Sequence, residues 1–394
     1  MDGVNVTDTA APFEPTSNLT RDFRWSEVPP LPGRRLAVRA ALVDPDLGGI
    51  SGFRGAFRGN GLNTIFRPQN FAASPTELPS PGQGPDDNIL ELNLTAETLE
   101  FSDPLGSIPN RGMVQGDIFL NGIPYVQKVK DINDPDQPVD IHFEPGVWLS
   151  VPPTTVPPET ATLVRMASIP HGTTIEAQGT SFDVPGGPQI QPVSITPFPI
   201  GDPNRSPIVF PSQDVTRGDT FRIPQDLTPF VNAGTITQAI LDDPNLVIKN
   251  RADAQNITAT TVIIISTNPN DPLFGGGTDN IAFLLGDKTA TAPNANAIEM
   301  TAIFWVETVQ EQITLPASYA PGEPMIVNGD GAAGDPVPTF TVISESPIAA
   351  GTRIDVTYTQ IQYTQTVLLN FNGLSWPHVS VATLVPSDAV PITL

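Results

Sequence analysis

The stretch that decides the fold runs from Val139 to Gly179 and reads VDIHFEPGVWLSVPPTTVPPETATLVRMASIPHGTTIEAQG. It contains two of the three histidines of the chain and two strand-like runs joined by a proline-rich connection. Alternate residues of an extended chain face the same side. His142, Glu144 and Trp148 therefore share one face of the first run, provided that Pro145-Gly146 does not shift the phase through a bulge.

The second strand-like run ends in a sharp corner that carries a histidine. Within the strand from Leu163 to Ile169, Arg165 faces the same side as the two end residues. Pro170-His171-Gly172 then interrupts the strand, and an extended pattern resumes at Thr173. Because Gly172 is free to adopt a positive φ, the corner predicts a tight turn that holds the His171 imidazole in a fixed direction.

The composition indicates an all-β protein with many turns. Charged residues make up only 15% of the 394 residues, whereas the chain has 45 prolines and 32 glycines, which is typical of short strands separated by turns. A helix is expected over Pro224–Asn245, and a short one within 36–50. The predicted strands are 88–101, 113–129, 139–151, 163–169, 173–182, 189–198, 258–266, 281–285, 297–313, 337–345, 352–371 and 378–385.

Cysteine content and charge exclude several classes of function. The chain has no cysteine, which excludes disulfides, iron–sulfur clusters, thiolate ligation of haem and cysteine nucleophiles. Its 42 acidic and 19 basic residues give a formal net charge of −23, which argues against nucleic acid and against an anionic membrane surface as partners. The three histidines show no HxxxH or HExxH spacing, and no G-x-S-x-G motif is present.

Targeting signals are not visible in the sequence. No apolar run reaches the roughly 18 residues that a transmembrane helix needs. The first residues, MDGVNVTDTAAPFEPTSN, lack the basic and apolar regions of a secretory signal. We therefore predict a cytoplasmic location by default, with the oligomeric state left open.

The two halves of the chain resemble each other weakly. Residues 80–92 and 273–285 both combine a glycine-rich loop, Asp-Asn-Ile and an apolar run, and Trp148 and Trp305 lie at similar places in later strands. Such a similarity is typical of a tandem duplication. We predict an N-terminal arm at 1–35 and two lipocalin-like antiparallel β-barrels at 36–204 and 205–394, with one or two short capping helices.

Glycines in the first predicted strand indicate a close approach of backbones. The segment GFRGAFRGNGLNTIFRP, from Gly52 to Pro68, places four glycines among phenylalanine and isoleucine. Glycine inside a strand marks a sharp bend or a neighbouring backbone that leaves no room for a side chain. We therefore expect this segment to lie at a barrel corner.

Five segments resemble a family of bacterial and fungal proteins described as haem-binding, with tandem lipocalin-like barrels. These segments are FRGNGLNTIFRP (57–68), DNILELNLTAETLEF (87–101), IHFEPGVWLSVP (141–152), VRMASIPHGTTIEAQG (164–179) and QYTQTVLLNFNGLSWPHVSVATL (362–384). His142, Glu144 and Gly146 also resemble the His-x-Glu-x-Gly strand of the nitrobindin group. The resemblance implies a calycin-type fold and a small hydrophobic or haem-like ligand.

The candidate site residues lie in the first half of the chain. His171 is the leading ligand for haem iron, or a general base; the alternative is a turn histidine bonded to a backbone carbonyl. His142 and Glu144 make either a polar pair inside a barrel or an outward, solvated pair. Arg165 is a candidate partner for haem propionates, and Trp148 either lines a cavity or belongs to the core.

The predicted function is binding of a small hydrophobic molecule near His142 and His171, with haem as the specific candidate. An imidazole would supply an axial bond to iron, while apolar walls would exclude water. The alternative is a lipocalin-like enzyme, either peroxidase-like with haem or an isomerase or cyclase that shapes a bound substrate. A third possibility is a structural protein whose barrels are filled by their own side chains. His378, the third histidine, is expected at a barrel mouth or on the surface.

Overall fold

A computed structural model describes residues 45–70, 72–73, 75–269, 275–286, 293–332 and 334–394. The predicted arm at 1–35 lies outside these residues, as does most of the helix expected within 36–50. Of that helix only a 3-10 turn at Gly48–Ile50 is described, and a second 3-10 turn lies at Pro211–Gln213.

The described chain consists mainly of β-strands. In chain order the strands are β1 Ala56–Pro68, β2 Asn88–Phe101, β3 Leu105–Asn110, β4 Ile118–Asp131, β5 Val139–Val151, β6 Thr154–Thr155, β7 Pro158–Glu159, β8 Thr162–Ile169, β9 Thr173–Pro185, β10 Phe198–Pro199, β11 Arg222–Ile223, β12 Asn256–Ser266, β13 Gly277–Asn280, β14 Asn296–Thr314, β15 Met325–Asn328, β16 Thr339–Ile343, β17 Arg353–Phe371, β18 Leu374–Pro386 and β19 Val390–Thr393. The all-β class predicted from composition is confirmed.

Ten of these strands close into one antiparallel barrel. Their order around the barrel is β2-β1-β18-β17-β14-β12-β9-β8-β5-β4, and β4 pairs with β2 to complete the ring. Four short strands (β3, β10, β11 and β13) attach to its rims, while β15-β16-β19 and β6-β7 form small separate sheets. Closure leaves the barrel strands without free edges.

A second barrel is not confirmed. Strands from both predicted halves, 36–204 and 205–394, form two adjoining arcs of the same ring, with seams where β1 pairs with β18 and β9 pairs with β12. The first half supplies only β1, β2, β4, β5, β8 and β9, and the second supplies β12, β14, β17 and β18. The weak repeat between the halves therefore corresponds to two arcs of one sheet.

The helices lie outside the barrel, and capping helices are not confirmed. The helix expected over Pro224–Asn245 is replaced by two short helices, α1 Thr228–Ala233 and α2 Gln238–Asp242, and Gly234 at φ 75° ends the first of them. A third helix, α3 Leu246–Asp253, follows this range. Residues 281–285, predicted as a strand, contain α4 Ala282–Leu285. No helix in the described ranges is long and apolar enough to cross a membrane.

The outer face of β17 is buried although it carries polar side chains. Gln362 and Thr364 point away from the barrel interior but are buried, because α3 and the turn before it pack over them. The Gln362 amide donates to the Ile248 carbonyl at 3.0 Å, and the Thr364 hydroxyl donates to Asn245 Oδ1 at 2.6 Å. These hydrogen bonds offset the cost of burying polar groups and fix the outer layer on the sheet.

The close approach of backbones expected at the glycine-rich strand is found where β1 pairs with β18. A Cβ atom on Gly59 would lie 1.9 Å from the carbonyl oxygen of Thr383, and one on Gly61 would lie 1.9 Å from that of Val381. Only glycine fits at this distance. These two positions therefore allow β1 and β18 to close the ring.

One end of the barrel interior is filled by aromatic rings. Phe53, in the segment that leads into β1, stacks on Phe101 at 4.8 Å between ring centroids and packs against Trp148 at 5.1 Å. Phe304 meets Trp148 edge-on at 5.3 Å and stacks on Tyr363 at 5.4 Å. We call this end of the barrel, lined by these five rings, the plugged end.

The single ring of strands predicts that the two halves of the chain do not fold separately. Fragments 1–204 and 205–394 each contain an incomplete arc with two unpaired edges. Each fragment alone is expected to lack a cooperative thermal transition by circular dichroism, and mixing the two is expected to restore one. A cooperative transition in either isolated fragment would contradict the single-barrel architecture.

Candidate functional site

All three histidines of the chain line one cavity at the other end of the barrel. The cavity has a volume of about 340 Å³. Its lining includes His142, His171 and His378 together with Asn63, Asn93, Glu97, Gln127, Tyr363, Gln365 and Ser380, and we call it the histidine cavity. The sequence predicted two of these histidines near a ligand; the structure adds the third.

Three separate elements bring the imidazoles together. His142 lies on β5 opposite Val129, next to a register shift between β4 and β5. His171 occupies the turn between β8 and β9, where Gly172 has a φ of 104°, as the Pro-His-Gly corner predicted. His378 lies on β18 opposite Val367. The ring centroids of His142 and His171 are 5.7 Å apart.

Each imidazole has one defined partner. His142 Nε2 lies 3.2 Å from Glu144 Oε2, and His378 Nε2 lies 2.6 Å from Asn63 Oδ1. His171 hydrogen-bonds to the backbone of Ile141, which is the turn arrangement considered as the alternative to a ligand. Each of these bonds engages one ring nitrogen, so the second nitrogen is the one that a ligand would use.

The protonation of two histidines is shifted toward the neutral form. Burial, reinforced by the charges of His142 and His171, lowers the pKa of His378 to about 3. Burial and the neighbouring His142 also lower the pKa of His171. At neutral pH both rings are therefore uncharged and offer a lone pair.

A buried ion pair lies between the histidine cavity and the plugged end. Arg165 Nη2 contacts Glu144 Oε1, and both side chains are almost fully buried, at 1% and 0% exposure. Tyr125 donates to the same carboxylate and accepts from Arg165 Nε at 2.8 Å. Burial alone would raise the pKa of Glu144, but Arg165 and His142 reverse the effect and bring it to about 2.

Arg165 connects the two ends of the interior. Its guanidinium carbon lies 5.7 Å from the Trp148 ring centroid and 5.4 Å from that of Phe304. On the other side its Nη1 donates to Gln365 Oε1 at 2.7 Å, and Gln365 lines the histidine cavity. The Arg165 guanidinium thus contacts aromatic rings on the side of the plugged end and polar groups on the side of the histidine cavity.

Glu97 is a second buried carboxyl group of the interior and lines the cavity. Glu97 Oε2 accepts from the Tyr363 hydroxyl at 2.6 Å and from Gln127 at 3.3 Å, and Oε1 accepts from Thr95 at 2.8 Å. Burial raises the pKa of Glu97, and these hydrogen bonds only partly oppose the rise. Glu97 is therefore a weaker acid than Glu144 in the same interior, because the Arg165 guanidinium pairs with Glu144 and not with Glu97.

The predicted site residues divide into two groups. His142 and His171 line the cavity, whereas Arg165 and Trp148 lie beneath it and do not. His142, Glu144 and Trp148 do share the inward face, as strand alternation predicted. His378 was not predicted to be a site residue, because β18 carries mostly apolar residues on both faces and its pattern therefore does not reveal which face turns inward.

Metal binding by several side chains is not indicated by the part of the chain that the structure describes. It contains no group of three or more His, Cys, Asp or Glu side chains placed to hold a metal ion. The cavity can instead offer hydrogen bonds and single imidazole nitrogens. Such a set of groups can orient a small polar molecule or exchange protons with it.

Comparisons with known proteins do not assign the chain to a family. No family model matches it, and no curated protein matches it. A search of solved structures returned the crystal structure of Rv2717c from M. tuberculosis, at 10% sequence identity and a TM-score of 0.31, covering 87% of this chain and 100% of that chain. A likeness at this level carries no argument about function.

The buried ion pair predicts a large cost for removing one partner. Glu144→Gln leaves Arg165 buried without its counter-ion, and we expect the free energy of unfolding to fall by about 3–5 kcal/mol in denaturant titrations at pH 7. The exposed Glu100→Gln on β2 is the matched control and is expected to change it by less than about 0.5 kcal/mol.

The Glu144–Arg165 pair also makes the stability of the fold depend on pH in the acid range. The pKa of Glu144 is about 2 in the folded protein and lies below its unfolded value, so the stability that the carboxylate contributes is complete above pH 4.5 and is lost as the pH falls toward 2. Glu144→Gln should remove this part of the acid slope, while Glu100→Gln should keep it. An unchanged acid slope in Glu144→Gln would refute the assignment.

Proposed function

We propose that the protein binds a small polar ligand in the histidine cavity. One observation carries the proposal: three histidines far apart in sequence, the only ones in the chain, line a single cavity inside a closed barrel. A volume of about 340 Å³ falls within the range of small-molecule sites, roughly 300–1,000 Å³. The surrounding barrel fixes the positions of the polar groups before the ligand arrives.

The lining supports a ligand that exchanges hydrogen bonds. The side chains of Asn93, Gln365 and Ser380 and the three imidazole rings line the same space. The lowered pKa values of His171 and His378 keep these rings neutral, so that each acts as a hydrogen-bond acceptor or as a donor at neutral pH. The ligand that matches is uncharged and carries both donors and acceptors.

Haem, which the sequence resemblance implies, fits one part of this site and not the rest. A single imidazole such as His171 is the axial ligand that haem iron needs. The apolar faces of a porphyrin need apolar walls, but the apolar lining residues are Ile65, Val129 and Ile141 alone. Glu91, Glu97 and Asp140 also line the cavity, and Arg165, the predicted propionate partner, is engaged by Glu144. The residues present therefore favour a smaller and more polar ligand.

Proton-transfer catalysis is a second candidate, favoured by Glu97. Burial raises the pKa of this carboxyl, so it keeps its proton to a higher pH than an exposed glutamate does, and it shares the cavity with neutral imidazoles. An acid and a base held apart in one cavity is the arrangement that an isomerase needs. This candidate keeps the same site and adds chemistry to binding.

The three histidines give a direct test. In protein labelled with ¹³C at the histidine Cε1 positions, each ring contributes one resonance. A library of small uncharged carbonyl and amide compounds, followed by hemin, is titrated into the full chain. We expect a ligand of the first class to shift all three resonances with one dissociation constant, because all three rings line its site.

Variants separate the outcomes of this titration. His171→Ala should weaken binding of the small ligand by about tenfold, which corresponds to the loss of one hydrogen bond. Hemin should give no Soret band that depends on His171. A Soret band that disappears in His171→Ala would support haem instead, and ligands that bind without moving any histidine resonance would contradict the proposed site.

A further inference from the structure

A large, mainly apolar cavity lies outside the barrel. It has a volume of about 1000 Å³ and is enclosed between the segment 186–207 and the outward face of β9, β12, β14 and β17. We call it the outer cleft. Its walls are formed chiefly by Phe182, Val184, Val262, Ile264, Ile303 and Trp305.

The segment over the outer cleft is anchored at both ends and in the middle. At its start Gly186 N donates to the Thr258 carbonyl at 3.1 Å, and near its end β10 pairs with β18. Between them Asn245 donates to the Gln191 carbonyl at 2.6 Å while it accepts from Thr364. The space beneath is therefore held open by hydrogen bonds and exists before any ligand enters.

The cleft deepens from an exposed mouth to a buried floor. At the mouth Phe182 and Ile264 are 50% and 41% exposed, while on the floor Trp305 is 3% exposed and Val262 is 7% exposed. Most strand residues that point outward here are apolar, and no side chain of the residues that the structure describes fills the space above them. Covering such a surface with an apolar molecule removes it from water and favours binding.

The charged groups of the cleft lie together at one rim. The Arg205 guanidinium lies 3.7 Å from Glu299 and stacks over the Phe198 ring at 5.2 Å. This pair supplies donors and an acceptor but no net charge. Because the whole chain also carries a formal charge of −23, an anionic head group would meet both Glu299 and an unfavourable field. The rim suits an uncharged head group.

We infer that the outer cleft is a binding site for an elongated, uncharged, apolar molecule that ends in one hydrogen-bonding group, such as a long-chain alcohol. The chain of the molecule lies along Val262, Ile303 and Trp305, and its head group reaches the Arg205–Glu299 pair. The sequence predicted a hydrophobic ligand near the histidines. The outer cleft, on the opposite face of β17, suits such a ligand better than the polar histidine cavity does.

The outer cleft and the histidine cavity are independent sites. They share the wall formed by β17, where Thr364 and Thr366 line the cleft and Gln365, which points inward between them, lines the cavity. A ligand in one site does not occupy the space of the other. His171→Ala should therefore leave binding in the cleft unchanged, and failure of either proposal leaves the other standing.

The test uses the full chain and the uncharged dye Nile red, whose fluorescence rises in apolar surroundings. We expect the dye to bind, to be displaced by 1-dodecanol, and to be displaced by dodecanoate at least about tenfold less effectively, because the anion is unfavourable beside Glu299. Equal displacement by the two compounds would overturn the uncharged head group. No dye binding and no effect of dodecanol would overturn the site.

A matched pair of variants locates the binding. Ile264 in the mouth and Ile343 on β16 are both 41% exposed strand residues, so Ile264→Asp and Ile343→Asp carry similar risks to folding. Ile264→Asp should weaken dodecanol binding by more than about tenfold, because its carboxylate would be desolvated by the bound chain. Ile343→Asp should bind as the unaltered protein does, and equal affinity of both variants would overturn the location.

A measurement that does not depend on Ile264→Asp folding uses the tryptophan on the cleft floor. A bromine atom quenches tryptophan emission on contact, so 12-bromo-1-dodecanol should quench the full chain and lose most of this effect in Trp305→Phe. Trp148 and Trp376 are buried inside other clusters and serve as internal controls. Quenching that persists undiminished in Trp305→Phe would place the alcohol elsewhere and overturn the proposal.

Discussion

A carboxylate and a guanidinium buried inside the barrel, Glu144 and Arg165, hold each other in place, and the organisation of the interior depends on them. Neither charge can be left unpaired at this depth without a cost of several kcal/mol, so their positions fix β5 against β8. The rings around Arg165 form the plugged end, and the groups that Glu144 and Arg165 hold on the other side, His142 and Gln365, belong to the histidine cavity. One ion pair therefore separates a packed hydrophobic end from a polar, open one.

The polar histidine cavity and the mainly apolar outer cleft are separated by a single sheet. Inward residues of β17 such as Tyr363 and Gln365 line the histidine cavity, while outward residues such as Thr366 line the outer cleft. The outward face of the same strand is also covered by α3 farther along, through hydrogen bonds to Gln362. A strand that is buried on both faces can thus position two chemically different sites.

Strand positions were predictable from local pattern, and ring closure was not. The runs 88–101 and 139–151 agree with β2 and β5 because alternation and turn residues determine them locally. The segment 189–198 has strand-like composition but serves as the cover of the outer cleft, apart from its last residue in β10, since its prolines cannot donate ladder hydrogen bonds. Residues 281–285 are apolar and short, where strand and helix cannot be distinguished by periodicity. Of the site, His142 and His171 followed from local geometry, whereas His378 depends on β18 pairing with β1 across nearly the whole chain.

The convergence of three distant histidines is the central claim, and the distance between two of their rings tests it most directly. In the full chain, labelled on histidine, the ring protons of His142 and His171 are close enough, with centroids 5.7 Å apart, to exchange magnetisation through space. The structure predicts a cross-peak between these two rings that disappears in His171→Ala. Sharp resonances for both rings without any cross-peak would contradict the histidine cavity.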